Sequence, residues 1–253
     1  MQNNPFFPKL FPLFLGIDEG ICHIGTSLRC TGQTLLVLLI LTLLQFPEMA
    51  HCSQLASDKA HLSTLIDILQ KRYDQTTAIS ARFRQQTYAP GDPKGVYAQG
   101  IVYFKRPHLM RWEYEKPAKQ LIVTSGINVY IYEIEAKQVT IIPRDQFLSS
   151  EISKAFFFGR GDLRHDFKVV PAPKDFGDPK WSLCLIPKRQ VPQLKRLFVT
   201  LDSRSHLVSR IVIEDQMGGR TVIEFSDIRI NPRLSPSLFR FSIPEGVEVY
   251  RGQ

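Results

Sequence analysis

Residues 105–115 contain a turn followed by a strand whose large apolar side chains all lie on one face. Met110, Trp112 and Tyr114 alternate with charged residues, and successive side chains of a β-strand point to opposite sides of the sheet. The same alternation recurs in short segments along most of the chain, with turn residues between them. Such short, closely spaced strands predict an antiparallel sheet, because parallel strands need long crossover connections. Its concave side is a candidate binding surface for an apolar ligand.

Twelve short segments have this period of two, and from them we predict a sheet of about eleven strands. One begins at Ile79, and the others lie at 98–105, 109–115, 120–124, 128–133, 138–143, 167–170, 182–186, 196–201, 208–214, 221–225 and 239–243. The rest of the sequence predicts only two or three helices, which cannot cover so wide a flat sheet. Wide sheets curl as their twist accumulates. We therefore predict one mainly β domain, a single unclosed antiparallel β-barrel with an α-helical lid.

Two segments with helical spacing are candidates for the lid. The first begins at Ser57-Asp58, where side-chain oxygens can cap a helix. The second lies between 144 and 163 and ends in three adjacent aromatic residues, of which at least one must pack outside the helix's apolar stripe or reach a cavity. The apolar positions of the two segments are Leu62, Leu65, Ile66, Leu69 and Tyr73, and then Phe147, Leu148, Ile152, Ala155, Phe156, Phe157 and Phe158.

The run 35–44 is apolar apart from Thr42 and indicates an export signal. Its length suits the core of a secretory signal and is short for a membrane span, which needs about 20 residues. We expect residues 1–52 to form the export signal segment, cleaved between Ala50 and Ala56, and residues 53–253 to form the exported domain. Two alternatives stay open, an uncleaved membrane anchor and a mature N-terminus lipidated on Cys52.

Charge and motif content argue against an enzyme and against a nucleic-acid-binding protein. The net charge of +8 comes from scattered basic residues, which is typical of a solvated basic surface, although an anionic lipid or an acidic partner surface also fits. Aromatic and basic residues alternate, so they lie on opposite faces, whereas a platform for stacking bases needs both on one face. We find no hydrolase, zinc-protease, phosphate-loop or paired-cysteine motif, and thus expect no catalytic residues, no metal and no cofactor. Cys184 lies in an apolar strand and is predicted to be a buried structural thiol.

Three blocks of the sequence resemble the LolA family of periplasmic outer-membrane lipoprotein carriers. The first is Phe83-x-Gln85 after the amphipathic helix. The second contains the turn Arg106-Pro107 and the apolar strand that follows it. The third lies near the end of the chain. The matching positions of the last two are Gly100, Val102, Phe104, Arg106, Pro107, Met110, Arg111, Trp112, Tyr114, Pro117, Gly126, Val129 and Tyr132, and then Gly219, Thr221, Ile223, Phe225, Asp227, Ile228, Asn231, Phe239, Phe241, Pro244, Gly246 and Val247.

The resemblance implies a periplasmic chaperone that binds the acyl chains of lipoproteins in a hydrophobic cavity and carries them from the inner to the outer membrane. The implied partners are acylated lipoproteins, an inner-membrane lipoprotein-releasing ABC transporter and an outer-membrane lipoprotein receptor, with the carrier itself a monomer. Two other functions stay open, a lipidated outer-membrane receptor of the same fold and a general envelope lipid-binding protein.

The resemblance also implies roles for individual residues. Arg106 matches the arginine that ties the lid to the barrel through hydrogen bonds, while Met110 and Trp112 match cavity-lining positions. Together with the strand pattern this predicts an acyl-chain cavity formed by Phe83, Phe104, Met110, Trp112 and Tyr114. It predicts a lid and gate formed by Arg106, Leu65, Leu69, Tyr73, Phe156, Phe157 and Phe158.

Overall fold

A computed structural model of the chain describes residues 48–147, 163–190 and 194–252. Its helices are α1 (Glu48–Gln75), α2 (Arg144–Phe147) and α3 (Leu163–Asp166), with two 3₁₀ helices at Lys174–Phe176 and Pro236–Phe239. Its strands are β1 (Ala78–Tyr88), β2 (Val96–Lys105), β3 (Leu109–Lys116), β4 (Gln120–Ser125), β5 (Asn128–Glu133), β6 (Gln138–Pro143), β7 (Phe167–Pro171), β8 (Ser182–Pro187), β9 (Arg196–Leu201), β10 (Val208–Glu214), β11 (Arg220–Ile230) and β12 (Glu248–Arg251).

The strands form one sheet of twelve in the order β12-β6-β5-β4-β3-β2-β1-β11-β10-β9-β8-β7. Strands β1 to β6 and strands β7 to β11 are two antiparallel meanders, which the pairing of β1 with β11 joins into one sheet. Strands β12 and β7 are the two edges and do not pair with each other within the described residues. The prediction of a single, unclosed, mainly antiparallel sheet is thus confirmed.

The apolar face of this sheet and one stripe of α1 form the main core. Leu65, Ile66 and Leu69 of α1 are buried against side chains from both meanders. The helix reaches the sheet at β7 and contacts α3. One helix therefore covers part of the concave side, as the sequence predicts for a lid. No helix among the described residues combines the length and the apolar character needed to span a membrane.

The predicted start of the first helix was wrong. Helix α1 begins at Glu48, ahead of Ser57 and Asp58, which lie inside it. The sequence from 48 to 75 contains neither glycine nor proline, and good helix formers such as Leu55 and Ala56 precede the predicted cap, so nothing stops the helix there. The predicted boundary between residues 52 and 53 falls within this helix and stays a prediction. The apolar run 35–44 lies outside the described residues.

The predicted strand 239–243 was also wrong. The chain forms a 3₁₀ helix at Pro236–Phe239 and then crosses the outer face of the sheet, where the Phe241 amide donates to the Ser125 hydroxyl rather than to a strand. Prolines at 236 and 244 remove backbone donors, which disfavours a ladder. The last strand is β12, which pairs with β6 in parallel, so the sheet has twelve strands instead of about eleven and is not antiparallel throughout.

Candidate functional site

An apolar cavity of about 820 Å³, including its open mouth, lies between the C-terminal half of α1 and the concave face of the sheet. The part of it that a water-sized sphere can occupy is about 100 Å³, well below the roughly 300 to 1,000 Å³ of ligand pockets. Four side chains at the cavity have polar groups, Arg72, Tyr73, Thr76 and His206. The others are Leu69, Ile79, Ala81, Val102, Phe104, Leu163, Leu207, Val208, Ile211, Phe225, Ile228 and Ile230. Such a lining favours an aliphatic ligand over a charged one.

A bulge in β11 explains how this strand contributes both odd-numbered and even-numbered side chains to the cavity. The pairing with β1 shifts between Ser226 and Arg229, where β11 has one residue more than its partner, and Asp227 has a φ of 51°. A bulge of this kind reverses the facing of the side chains that follow it. Phe225 before the bulge and Ile228 after it therefore both point into the cavity.

Of the five residues predicted to form the acyl-chain cavity, only Phe104 lines it. Phe83, Met110, Trp112 and Tyr114 are buried in the core beside it, at 3% exposure or less. The Phe83 ring packs edge-on against Trp112 and Tyr114, with centroids 4.8 and 5.0 Å apart. These four side chains form the wall behind the cavity. Their contact with acyl chains stays a prediction.

A glutamine beside this wall accepts a hydrogen bond from its tyrosine. The Tyr114 hydroxyl donates to the Gln85 side-chain oxygen at 3.2 Å. Burial raises the pKa of Tyr114 far above its ordinary value, so the phenol is neutral at any pH that the protein experiences. The sequence predicts that Cys184 is a buried structural thiol, and Cys184 is buried, in a small cluster with Phe198 and Val212.

Arg106 contacts α1 from the end of β2, and its role as a gate stays a prediction. Its guanidinium donates a hydrogen bond to the Tyr73 carbonyl in the last turns of α1. The same group lies over the Tyr73 ring, 5.2 Å from the centroid. Because Arg106 follows β2 directly, this contact joins the lid to the sheet at the cavity. Leu65 and Leu69 are the buried side chains of the lid, while Phe156, Phe157 and Phe158 lie outside the described residues.

Several residues of the site were not predicted from the sequence. The cavity side chains of β1, β10 and β11, such as Ile79, Val208 and Phe225, follow the same alternation as the predicted set, and that pattern could have identified them. The contacts of Arg164 and Asn231 with α1 join residues about 100 or more positions apart. Local sequence patterns carry no signal for such contacts.

Comparison of the sequence with known proteins finds a family and several relatives. The family model "Outer membrane lipoprotein carrier protein LolA" matches residues 74–242. An outer-membrane lipoprotein carrier protein of Nitrosomonas europaea is 35% identical over 154 residues, which are 61% of this chain and 73% of the relative. One from Cupriavidus pinatubonensis is 31% identical over 207 residues, 79% of this chain and 95% of the relative.

Among solved structures, an uncharacterized conserved protein from Thermus thermophilus superposes with a TM-score of 0.45 at 16% identity, covering 75% of this chain and 98% of that one. A LolA superfamily protein from Nitrosomonas europaea superposes with a TM-score of 0.41 at 12% identity, covering 71% and 97%. The family model spans about two thirds of the chain, from the end of α1 to the segment after β11. This chain therefore belongs to the LolA family of outer-membrane lipoprotein carrier proteins.

Proposed function

We propose that this carrier binds the acyl chains of lipoproteins in the apolar cavity under α1, and that α1 is a lid which Arg106 holds closed in the empty protein. The observation that carries the proposal is the cavity itself. It is apolar, and it is bounded by α1, which Arg106 fastens to the sheet. A carrier must both take up and give up its cargo without covalent chemistry. A movable lid over an apolar cavity supplies both steps.

The free energy lost when α1 lifts is similar in size to the free energy gained when an acyl chain is buried in its place. Lifting α1 exposes Leu65, Ile66 and Leu69, which are now at most 6% exposed. At about 2 kcal/mol for each side chain, this costs about 6 kcal/mol. Burying about eight methylene groups, at roughly 0.8 kcal/mol each, offsets that cost. A lipoprotein acyl chain can thus displace the lid, and the loaded and empty states then differ little in free energy.

Arg106 adjusts this balance. Its hydrogen bond to the Tyr73 carbonyl and its position over the Tyr73 ring exist only while α1 is closed, so they favour the empty state and help to expel cargo. A hydrogen bond from a charged donor at a partly exposed site contributes about 1 to 2 kcal/mol. Removing it should shift the balance toward the loaded state by a factor of about five to thirty.

The family is periplasmic, and we propose that residues 1–52 direct export to that compartment. There the carrier acts as a monomer that receives triacylated lipoproteins from an inner-membrane ABC transporter and passes them to an outer-membrane receptor. The +8 net charge suits an anionic surface on either partner. The carrier itself needs no cofactor, because neither uptake nor release changes a covalent bond of the cargo.

Native mass spectrometry of the protein purified from the periplasm tests the proposal. The comparison is between the wild type, Arg106→Leu and the control Arg82→Leu, which removes an exposed arginine paired with Glu115 at 3.3 Å. We expect triacylated lipoproteins on all three, with about five- to thirtyfold more on Arg106→Leu than on the control. Acyl-free preparations throughout, or preparations that hold only phospholipid, would contradict lipoprotein carriage. Equal loading of the two variants would contradict the role of Arg106.

A further inference from the structure

The C-terminal end of α1 is fixed to the sheet by one asparagine. The Asn231 side-chain oxygen accepts hydrogen bonds from the backbone amides of Thr77 at 2.7 Å and Ala78 at 3.2 Å, and its side-chain nitrogen donates to the Gln75 carbonyl at 3.2 Å. These contacts tie the junction of α1 and β1 to the end of β11. Opening of the lid therefore turns α1 about this junction, which we call the hinge.

Arg106 acts close to the hinge. Its partner Tyr73 lies two residues before the end of α1, about 3 Å along the helix axis at 1.5 Å per residue. A contact so near the pivot restrains the last turn of the helix strongly. It restrains the distant half weakly, because a small rotation at the hinge moves that half much farther than it moves Tyr73.

Arg164 contacts α1 farther from the hinge, near the middle of the helix. Its guanidinium donates to the Asp67 carboxylate at 2.6 Å, to the Ser63 hydroxyl at 3.0 Å and to the Ser63 carbonyl at 3.2 Å. Asp67 and Ser63 lie about 12 and 18 Å from the end of the helix. His61 adds a hydrogen bond from Nε2 to the Lys180 carbonyl at 2.8 Å. The middle of α1 is therefore held from the β7 and β8 side.

The backbone around Arg164 is itself fixed to the sheet. Arg164 belongs to α3, which continues directly into β7, and β7 pairs with β8 along its length. Beyond the end of β8, the Lys188 amide donates to the Asp166 carbonyl at 2.9 Å, and the Lys188 ammonium donates to the Arg164 carbonyl at 2.7 Å. The contact between Arg164 and α1 thus joins the lid to the sheet on the side opposite Arg106.

We propose that Arg164 is a second latch of the lid, a positioning residue that holds residues 61–69 over the cavity through Asp67 and Ser63. The proposal rests on the proposed function, because a latch matters to carriage only if the cavity takes up acyl chains. Arg106 restrains the hinge end of α1 and Arg164 restrains its middle. Loading requires the contact at Arg164 to break, while the hinge at Asn231 stays intact.

The proposal also assigns different chemistry to the two latches. The Arg164 latch includes an ion pair between partly exposed groups, which salt weakens. Arg106 donates to a neutral carbonyl, which salt affects less. Consistent with the ion pair, the Arg164 side chain lowers the pKa of Asp67 below its ordinary value. Exposed pairs of this type shift an equilibrium by a few-fold, so the expected effects are about two- to fivefold.

Hydrogen–deuterium exchange of the periplasmic protein tests the second latch. The variants are Arg164→Gln, Asp67→Asn and the double substitution, with Arg82→Gln as the control, because its ion pair with Glu115 is similarly exposed but lies away from α1. We expect the amides of 61–69 to exchange about two- to fivefold faster in Arg164→Gln, and the double variant to match it. The hinge amides of 75–78 should keep the wild-type rate.

Two further readouts separate a latch from a general stabilising contact. Arg164→Gln should raise the association rate of a triacylated lipopeptide about two- to fivefold and leave the urea midpoint at the value of the Arg82→Gln control. Exchange and association rates equal to those of the control would overturn the second latch while leaving lipoprotein carriage intact. Failure of the wild type to bind the lipopeptide, with the exchange pattern as expected, would overturn the proposed function and leave Arg164 only as a fastening of α1.

Discussion

Two phenylalanines that face each other across the β1–β11 pair allow the cavity to be distinguished from the core. Phe83 and Phe225 are register partners on the concave side. Phe83 is 1% exposed and packs edge-on against two aromatic rings, whereas Phe225 lines the cavity and is only partly buried. The same substitution to alanine should therefore have different consequences at the two positions.

Phe83→Ala leaves a void in a packed wall and should lower the free energy of unfolding by about 4 kcal/mol. Phe225→Ala removes a side chain that is already beside open space and should cost about 2 kcal/mol. With an m-value near 2 kcal/mol/M, the urea midpoints should fall by about 2 M and about 1 M. Circular dichroism of the two variants measures both midpoints.

The two substitutions should affect the affinity for acyl chains in the opposite order, with the larger loss in Phe225→Ala. Phe225→Ala removes an apolar contact with the acyl chain worth about 1.4 kcal/mol, so affinity for a triacylated lipopeptide should fall about tenfold. Phe83→Ala should change it less than about threefold under conditions in which both variants are folded. If Phe83→Ala weakens binding as much as Phe225→Ala does, the acyl chain occupies the aromatic wall and the cavity described here is not the binding site.

Three other changes have outcomes that the structure fixes. Gly100→Ala should destabilise the protein by about 3 kcal/mol or prevent its accumulation, because a Cβ there would lie 1.9 Å from the Glu113 carbonyl oxygen; a urea midpoint near that of the wild type would contradict the close strand approach. Cys184 should resist iodoacetamide at pH 8 until urea unfolds the chain, since burial raises the pKa of its thiol, and peptide mass spectrometry would show any early labelling. Asp67 should titrate below 3.8 in an NMR experiment and return toward 3.8 in Arg164→Gln. Because the folded-state pKa is lowered, its contribution to stability is complete above the ordinary pKa and is lost as the pH falls through the lowered one.

The alternation of apolar residues was sufficient to predict the sheet, since period-two patterns depend only on neighbouring positions. Strand β3 was predicted almost to the residue for this reason. At 239–243 the alternating pattern predicts a strand that does not form. Its apolar residues alternate as in a strand, yet the flanking prolines and the packing of Phe241 on Tyr130 and Tyr132 keep it out of the ladder.

The site was predicted less completely than the fold. Periodicity places Phe83, Trp112 and Phe104 on the same face, but it cannot tell which of them packs into the core and which borders open space. That distinction depends on where α1 crosses the sheet, which tertiary contacts determine. Arg106 was identified because a local motif marks it. Arg164 stands in no such motif, and its contact with Asp67 spans 97 residues.

Photo-cross-linking in the periplasm tests directly whether acyl chains lie in the cavity beneath α1. A photoreactive phenylalanine analogue replaces either Phe225, inside the cavity, or Phe241, which packs on the outer face of the sheet against Tyr130. We expect lipoproteins to become cross-linked through their acyl chains at position 225 and not at position 241. Cross-linking at 241 alone, or at both positions equally, would contradict the claim that the acyl chains lie in the cavity beneath α1.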